Sequence, residues 1–582
     1  MKYKKLHILC VSLIIPSLLF SGCHKKYSSN EKVKIQESFN QYLDDMFCAS
    51  VSSDTLTLNY MLSNPSAYGV ESFSPTLGEF SIAQMKEDYQ EEQKNFEQLK
   101  KIPYGCLTDE QKICYQLLED SYNLDLSNSK YMLYHEVLGP TTGLQAQLPI
   151  VLAEYRFSSE EDVKNYLSLL QDMPRYFTQI CDFEKAKSKA GIFMSDAVAN
   201  KIITQCKTFI KDPESNYLIH YFNAKIDSLD FISGASKKEY ISKNKEFVLN
   251  YVIPAYEKLI ATLNELLGTG TNNEGLSHFK NGAGYYEYLV KSKTGTSYSM
   301  KELTKKIDST LQNSISNMLT SSALDSELSK KLNHYKFVET TPSGSLNYLK
   351  NHIQTDFPDL AEVNCCIKDV DTSLQEFVSP AMYMIPPLDC YNDNCIYVNK
   401  NPKYDMSEIF PTIAHEGYPG HLYQNVYFRS QNVHPVRYTL TNLGYEEGWA
   451  TYAEIYSYQI AGLDDGLAQL LAQNTIASLC IYSRADIGIH YEGWSKQDTI
   501  DYIKKYFTSD AGSTIYDTLL EEPAVYLPYC VGYIQINDLK EKAQAQLKDD
   551  FSLKEFHEFL LDIGPANFEI INDQFNTWID KQ

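Results

Sequence analysis

The chain has 582 residues, 43% hydrophobic and 22% charged, an ordinary globular composition with room for a large core. Its 75 acidic and 52 basic residues leave a formal charge of −23. That balance excludes a nucleic-acid-binding surface, which needs clustered Lys and Arg, and offers no electrostatic attraction to an anionic membrane.

The first residues read as an export and anchoring signal. Lys2, Lys4 and Lys5 precede an apolar stretch from Leu6 to Phe20 that is short for a membrane span. Leu19-Phe20-Ser21-Gly22-Cys23 resembles a bacterial lipobox, with Phe20 where Leu is more usual. Residues 1–22 are therefore expected to be a lipoprotein signal peptide, with Cys23 as the lipidation site. Residues 23–35 follow as a polar, lipid-anchored tether. The expected location is the extracytoplasmic face of a bacterial cell membrane, held there by the lipid alone.

From residue 36 to 582 the pattern favours one large helical unit. Val163, Tyr166, Leu167 and Leu170 recur at helical spacing, and Tyr176 follows Pro174. Helix-start signals stand at Ser158–Glu161, Ser495–Asp498 and Ser552–Glu555. The Gly/Asn/Thr-rich stretches at 267–275 and 293–298 read as loops. Residues 376–387 and 394–399 break the helical pattern and read as strands around a turn at 388–393, so a small sheet is expected just before the most informative motif. Of the 13 Cys, Cys10 and Cys23 belong to the signal and anchor. Cys390 and Cys395 flank a turn and could pair, and most of the others read as small buried apolar residues. No C-x-x-C pair exists to suggest a zinc ribbon or a redox motif.

That motif is His415-Glu416-Gly417-Tyr418-Pro419-Gly420-His421. The usual zinc-hydrolase pattern, H-E-x-x-H, places both imidazoles on one face of a helix. Here the spacing is two residues longer. On a straight helix a six-residue step turns about 600° and rises about 9 Å, which leaves the rings about 240° apart. They could not share an ion whose bonds to nitrogen are about 2.0–2.1 Å long. The insertion carries its own remedy. Pro419 has no N–H and would clash with the carbonyl of His415, while Gly417 and Gly420 admit backbone angles closed to other residues. A helix broken across 417–420 could swing His421 back beside His415, with Glu416 as general base.

The next candidates follow in order. On Tyr445–Glu454, Glu447, Thr451 and Glu454 share one helical stripe, and Trp449, Ala453, Tyr456 and Ile460 an apolar one. Glu447 is the expected third metal ligand, completing a His₂Glu set, with Glu446 as its competitor. Glu454 reads as a solvated charge or a support behind the ligands. Asp486 and His490 are four residues apart, so Asp486 could orient an imidazole that donates to an oxyanion or adds a ligand. Arg484 could hold a substrate carboxylate or be a salt-bridge partner. In Tyr526–Tyr533, Tyr529 is a candidate electrophile, and Gly532 suggests a close backbone approach.

Together these blocks resemble the bacterial domain-of-unknown-function family numbered 885. His415-Glu416-x-x-Pro419-Gly420-His421 with Gln424, then Glu447-Gly448-Trp449-Ala450-x-Tyr452-x-Glu454, then Asp486-x-Gly488-Ile489-His490 with Gly493-Trp494, and Tyr529-x-x-Gly532 match its motifs in order. Gly282-Ala283-Gly284-Tyr285-Tyr286 is similar as well, and the likeness covers roughly residues 35–575. The resemblance implies a mainly α, multi-helical, gluzincin-like zinc peptidase, often a lipoprotein, with its site in a cleft between two helical halves. It implies His415, His421 and Glu447 as ligands to one Zn²⁺, Glu416 as base, and Tyr529 and His490 as transition-state stabilisers. The expectation is zinc-dependent hydrolysis of short peptides at the cell surface. The alternatives are a zinc amidase or esterase acting on cell-wall or small-molecule substrates, and a non-catalytic lipoprotein that binds peptide or metal.

Overall fold

The computed structural model describes residues 27–582 apart from 71–73, 326, 371, 373–374, 376–377 and 508–510. The signal segment and Cys23 lie outside the described residues. The chain is mainly α, with many helices and one small sheet. Each expected helix start is occupied. Ser159 and Ser495 form capping boxes with Asp162 and Asp498, and the Ser552 hydroxyl accepts from the Glu555 N–H. The helix Glu160–Lys189 runs through Pro174 and buries Val163, Tyr166, Leu167, Leu170, Phe177 and Ile180 along one stripe. One difference lies at the start. Ser28 and Glu31 make a capping box for a helix at Ser29–Val51, so the expected tether is already helical from Ser29.

The sheet has three strands in the order β1-β3-β2: β1 is Asn364–Asp369, β2 Ala381–Met384 and β3 Asp393–Val398. β1 runs parallel to β3, and β2 antiparallel to it with Ala381 opposite Val398 and Met384 opposite Cys395. β2 is shorter than the apolar run suggests because Pro380 and Pro386-Pro387 bracket it and cannot donate to a ladder. β1 went unseen in the sequence, since Asn-Cys-Cys-Ile-Lys-Asp is mostly exposed and alternates weakly. Cys395 stands opposite Cys366 of β1 in register, with the two thiols in contact, rather than meeting Cys390. All eleven described Cys are free thiols, six of them buried.

The largest buried cluster joins residues 276–575 with Leu117 and Tyr131, and a second spans residues 77–266. Five helices of the C-terminal part matter for the site: α1 Phe410–Glu416, α2 His421–Ser430, α3 Leu443–Ile460, α4 Asp465–Ile487 and α5 Leu527–Leu547. Helices α3 and α5 touch backbone to backbone. A Cβ on Gly448 would lie 2.5 Å from Gly532, and one on Gly532 2.0 Å from the Gly444 carbonyl. Only glycine permits that approach, which brings the start of α5 against the start of α3. Among the described residues no helix is long and apolar enough to cross a membrane.

Candidate metal centre

The helix breaks where its residues demand. The Gly417 N–H still reaches the Ile413 carbonyl and ends α1, then the chain turns through a cis Tyr418–Pro419 bond. The Gln424 N–H on the Gly420 carbonyl opens α2. At Gly420 a Cβ would stand 1.8 Å from the His415 carbonyl, so no side chain fits the bend. The Trp449 indole of α3 pins it by donating to the Pro419 carbonyl at 2.8 Å. The two rings consequently lie 4.9 Å apart and nearly perpendicular.

Glu447 Oε2 sits 3.4 Å from Nε2 of both His415 and His421. The three ligand atoms all fall within 4.8 Å of one another, so His415, His421 and Glu447 form a group that could hold a metal ion. Two bonds of about 2.0–2.1 Å at the tetrahedral angle separate their ligand atoms by about 3.3–3.4 Å, which matches the two carboxylate–imidazole edges. Both contacts are off the hydrogen-bond axis, and Glu447 Oε2 is buried without a hydrogen-bond partner. A buried carboxylate oxygen is costly unless something takes its lone pairs. A dication between the three side chains would do so, so the residues present fit a zinc-type ion.

The remaining groups are arranged around that centre. Glu454, two turns along α3 from Glu447, faces Nδ1 of His415 at 3.3 Å. It is not simply a solvated charge. His415 is bracketed by a carboxylate at each ring nitrogen, and these acids outweigh burial to raise its proton affinity well above that of a free imidazole. Burial raises Glu447, but the two imidazoles dominate and hold it well below the usual carboxylate range. Glu446 lines the same cavity, and burial, opposed by His421 and reinforced by Glu447, pushes it up to about 7. Glu416, at the end of α1, accepts the Tyr383 N–H of β2 at 2.8 Å. That N–H points away from β3, so the edge strand opens on the site. The Tyr529 ring of α5 stacks over His415 at 6.0 Å, and burial followed by the Glu447 and Glu416 charges keeps its hydroxyl protonated. All these side chains except Glu454 border one cavity of about 350 Å³.

Three expected site residues lie elsewhere. His490 is buried on the wide turn Gly488–Glu492, with Nδ1 accepting from the Leu276 N–H at 3.1 Å and Nε2 donating to the Leu519 carbonyl at 2.9 Å. Both ring nitrogens are spent on backbone, which leaves neither for an oxyanion or a metal, and burial pulls its pKa down to about 4. It borders a different, smaller cavity. Asp486 does not orient it. That carboxylate accepts the Tyr286 hydroxyl and the Ala524 N–H, while the Tyr286 ring stacks on His490. The Gly282–Tyr286 block is thus the counterpart of the 486–490 block in a structural joint. Arg484 pairs with Glu492 at 2.8 Å and Asp308 at 3.4 Å and lies over Trp494, which accounts for its charge without a ligand. Sequence reasoning missed Tyr383, whose contribution is the backbone N–H held by Glu416.

A mainly helical protein whose broken helix brings two His against a Glu of a neighbouring helix is therefore the class that fold and site define. The chain belongs to the bacterial proteins of unknown function DUF885, whose family model matches residues 65–574. Two solved structures share its fold. A lipoprotein candidate from Colwellia psychrerythraea is 18% identical with a TM-score of 0.81, covering 95% of this chain and 99% of its own. A lipoprotein candidate of unknown function from Shewanella oneidensis is 15% identical with a TM-score of 0.61, covering 94% and 99%. An oligoendopeptidase F candidate from Bacillus anthracis reaches a TM-score of only 0.29 at 12% identity, too low to carry an argument. No curated protein sequence matches the chain.

Proposed function

We propose that the protein is a zinc-dependent peptidase of the extracytoplasmic face, tethered by a lipid on Cys23 and acting on short peptides. The observation that carries this reading is the pair of 3.4 Å edges from a partnerless Glu447 oxygen to both imidazoles, with the Glu416 carboxylate on the same cavity. A Zn²⁺ bound there would supply Lewis acidity and acidify its water. Glu416 takes the proton from the attacking water and passes it to the leaving amine. The Tyr529 hydroxyl, kept protonated by burial and neighbouring carboxylates, donates to the developing oxyanion. Peptide rather than a small ester is favoured by β2, an edge strand beside Glu416 whose Tyr383 N–H is held by that carboxylate and whose Tyr383 carbonyl, on the same outer side, can accept from an extended chain. Glu454 orients His415 from behind.

Elemental analysis of purified protein tests the metal. About one zinc per chain is expected in the wild type, and a sharp loss in His421→Ala with the fold retained. Full occupancy in that variant would remove His421 from the centre. Cleavage of a peptide library, with muropeptides and esters in parallel, tests the bond; turnover of esters alone would favour the esterase alternative.

A further inference from the structure

One arginine of this acidic chain is left without a partner. Of its five arginines, Arg175 pairs with Asp172 and Glu79, Arg437 with Glu110, and Arg484 with Glu492 and Asp308. Arg429 donates to the carbonyls of Pro386 and Pro387. The Arg156 guanidinium makes no hydrogen bond or ion pair with any described residue. Its Nη2 is buried, while Nε and Nη1 are open to a cavity of about 310 Å³ that Asn59, Ser63 and Ser158 also line. The acids around it are engaged elsewhere. Asp162 accepts the Ser158 and Ser159 N–H groups, Asp389 those of Ser63 and Asn64, and Glu154 the Tyr397 hydroxyl, while Glu161 faces Lys164.

A second cation stands beside it. Lys225 Nζ donates to the carbonyls of Ala153 and Tyr155 and lies 6.0 Å from the Phe157 ring centre, so the ammonium sits against the chain at Arg156. It makes no ion pair with any described residue. Burial, opposed by Glu154 and reinforced by Lys368 and Arg156, lowers its pKa to about 8. Two like charges held together without a counter-ion repel each other, and a bound anion removes that cost. Two routes tie this pair to the metal cavity. The Arg156 N–H and carbonyl both bond the Asn59 side chain on the helix Thr55–Met61, and the Met61 carbonyl accepts the Leu388 N–H just past β2. Arg156 also follows the helix Leu144–Glu154, whose Ile150 belongs to the small apolar cluster on which Met382 of β2 packs. Met382 lines the metal cavity. Tyr60, next to Asn59, feels both ends: burial raises its hydroxyl, Arg429 and Arg156 lower it, and Glu446 raises it. From Ile150 to Arg156 is about 9 Å at the helical rise, a length that about three extended residues span.

From this placement we infer that Arg156, with Lys225 beside it, anchors a carboxylate of the substrate, either its free C-terminus or an acidic side chain, a few residues from the scissile bond. The guanidinium fork matches a carboxylate with two parallel hydrogen bonds. Among the described residues the wall of the metal cavity holds Glu416, Glu446 and Glu447 but no Lys or Arg, so it repels the same carboxylate towards the Arg156 end. This assignment rests on the peptide reading and adds the substrate class to it: short peptides whose negative end lies away from the metal.

The test is binding without turnover. Full-length, zinc-loaded Glu416→Gln protein is titrated calorimetrically with short peptides in matched pairs, free C-terminus against C-terminal amide and glutamate against glutamine. At least one carboxylate form is expected to bind about tenfold or more tightly than its neutral partner, and the pair that responds identifies the source of the charge. Adding Arg156→Gln is expected to bring that ratio to near one. Equal affinities in both pairs, no binding of any peptide, or a preference that survives Arg156→Gln each overturn the subsite. Should Arg156→Gln fail to fold, Arg156→Lys decides: it keeps the charge, loses the fork and is expected to lower the ratio, and an unchanged ratio overturns the subsite. Wild-type cleavage is scored separately. Selective, Arg156-dependent binding without turnover sinks the peptidase reading alone, and turnover without charge preference sinks the subsite alone.

Discussion

His415 and His490 are both buried imidazoles with an acid close by in sequence or space, yet their ring nitrogens are spent in opposite ways. At His490 each nitrogen meets a backbone group, and Asp486 nearby is satisfied by Tyr286 and Ala524. At His415 each nitrogen meets a carboxylate off the hydrogen-bond axis, and Nδ1 as well as Glu447 Oε2 stays without a hydrogen-bond partner. Two motifs of similar chemical content therefore differ in whether their polar atoms are used up by the fold. The joint around His490 is a finished structural contact; the cluster around His415 keeps polar atoms that no hydrogen bond of the fold uses. Residue type alone does not separate the two, because His, Asp and Glu serve either purpose.

The comparison can be broken from both sides. The largest expected effect is Glu416→Gln, which should lower kcat by about 10²–10⁴-fold while zinc content stays at one per chain; unchanged turnover with metal bound would falsify the base assignment. Tyr529→Phe should cost about 10²–10³-fold in kcat with little change in KM, the loss of one oxyanion donor, measured on the best library peptide. On the other side, Asp486→Ala strips the partner from the Tyr286 hydroxyl and the Ala524 N–H. It should cost about 3 kcal/mol in denaturant unfolding, at 1–3 kcal/mol for each buried group left unpaired, and leave zinc affinity unchanged. A loss of zinc in that variant would merge the two regions.

Glu454→Gln should weaken zinc affinity about 10–100-fold in chelator competition, as expected for a carboxylate supporting a ligand imidazole. The smallest effect is one of pH. Burial lowers His490 to about 4 and His557 to about 3 in the folded chain. A depressed folded-state value means the unfolded chain binds the proton first. The stability each imidazole contributes is then complete above the unfolded value of about 6.5 and lost as pH falls towards the folded one, at up to about 1.4 kcal/mol per pH unit. The stability gap between wild type and His490→Gln should accordingly narrow between pH 6.5 and 5, and a gap independent of pH would mean His490 binds its proton equally in the folded and unfolded chain.

Much of this was legible before the fold. Pro419 between Gly417 and Gly420 foretold the break that brings His421 beside His415, because helix geometry is local and a proline's effect on it acts within four residues. The stripe Glu447, Thr451, Glu454 was legible because helical spacing is local, but that Glu454 faces His415 rather than solvent was not, since it depends on how α1 packs on α3. Gly532 hinted at the approach that Gly448 completes. The strand β1 was hidden because an exposed six-residue strand leaves almost no alternation to read.

What the amino-acid order determined by itself is the chemistry of each segment: a mainly helical chain, a bend at 417–420, and acids and imidazoles at helical spacing. Only the tertiary structure decided which of these meet. It chose Glu447 over Glu446 by turning one oxygen towards both imidazoles, gave Glu454 to His415, and handed His490, Asp486 and Arg484 to partners from residues 276–308 and 492–524. Periodicity specifies neighbours along one helix, whereas the partner of a buried polar atom is set by which helices pack against it, and that depends on the whole core.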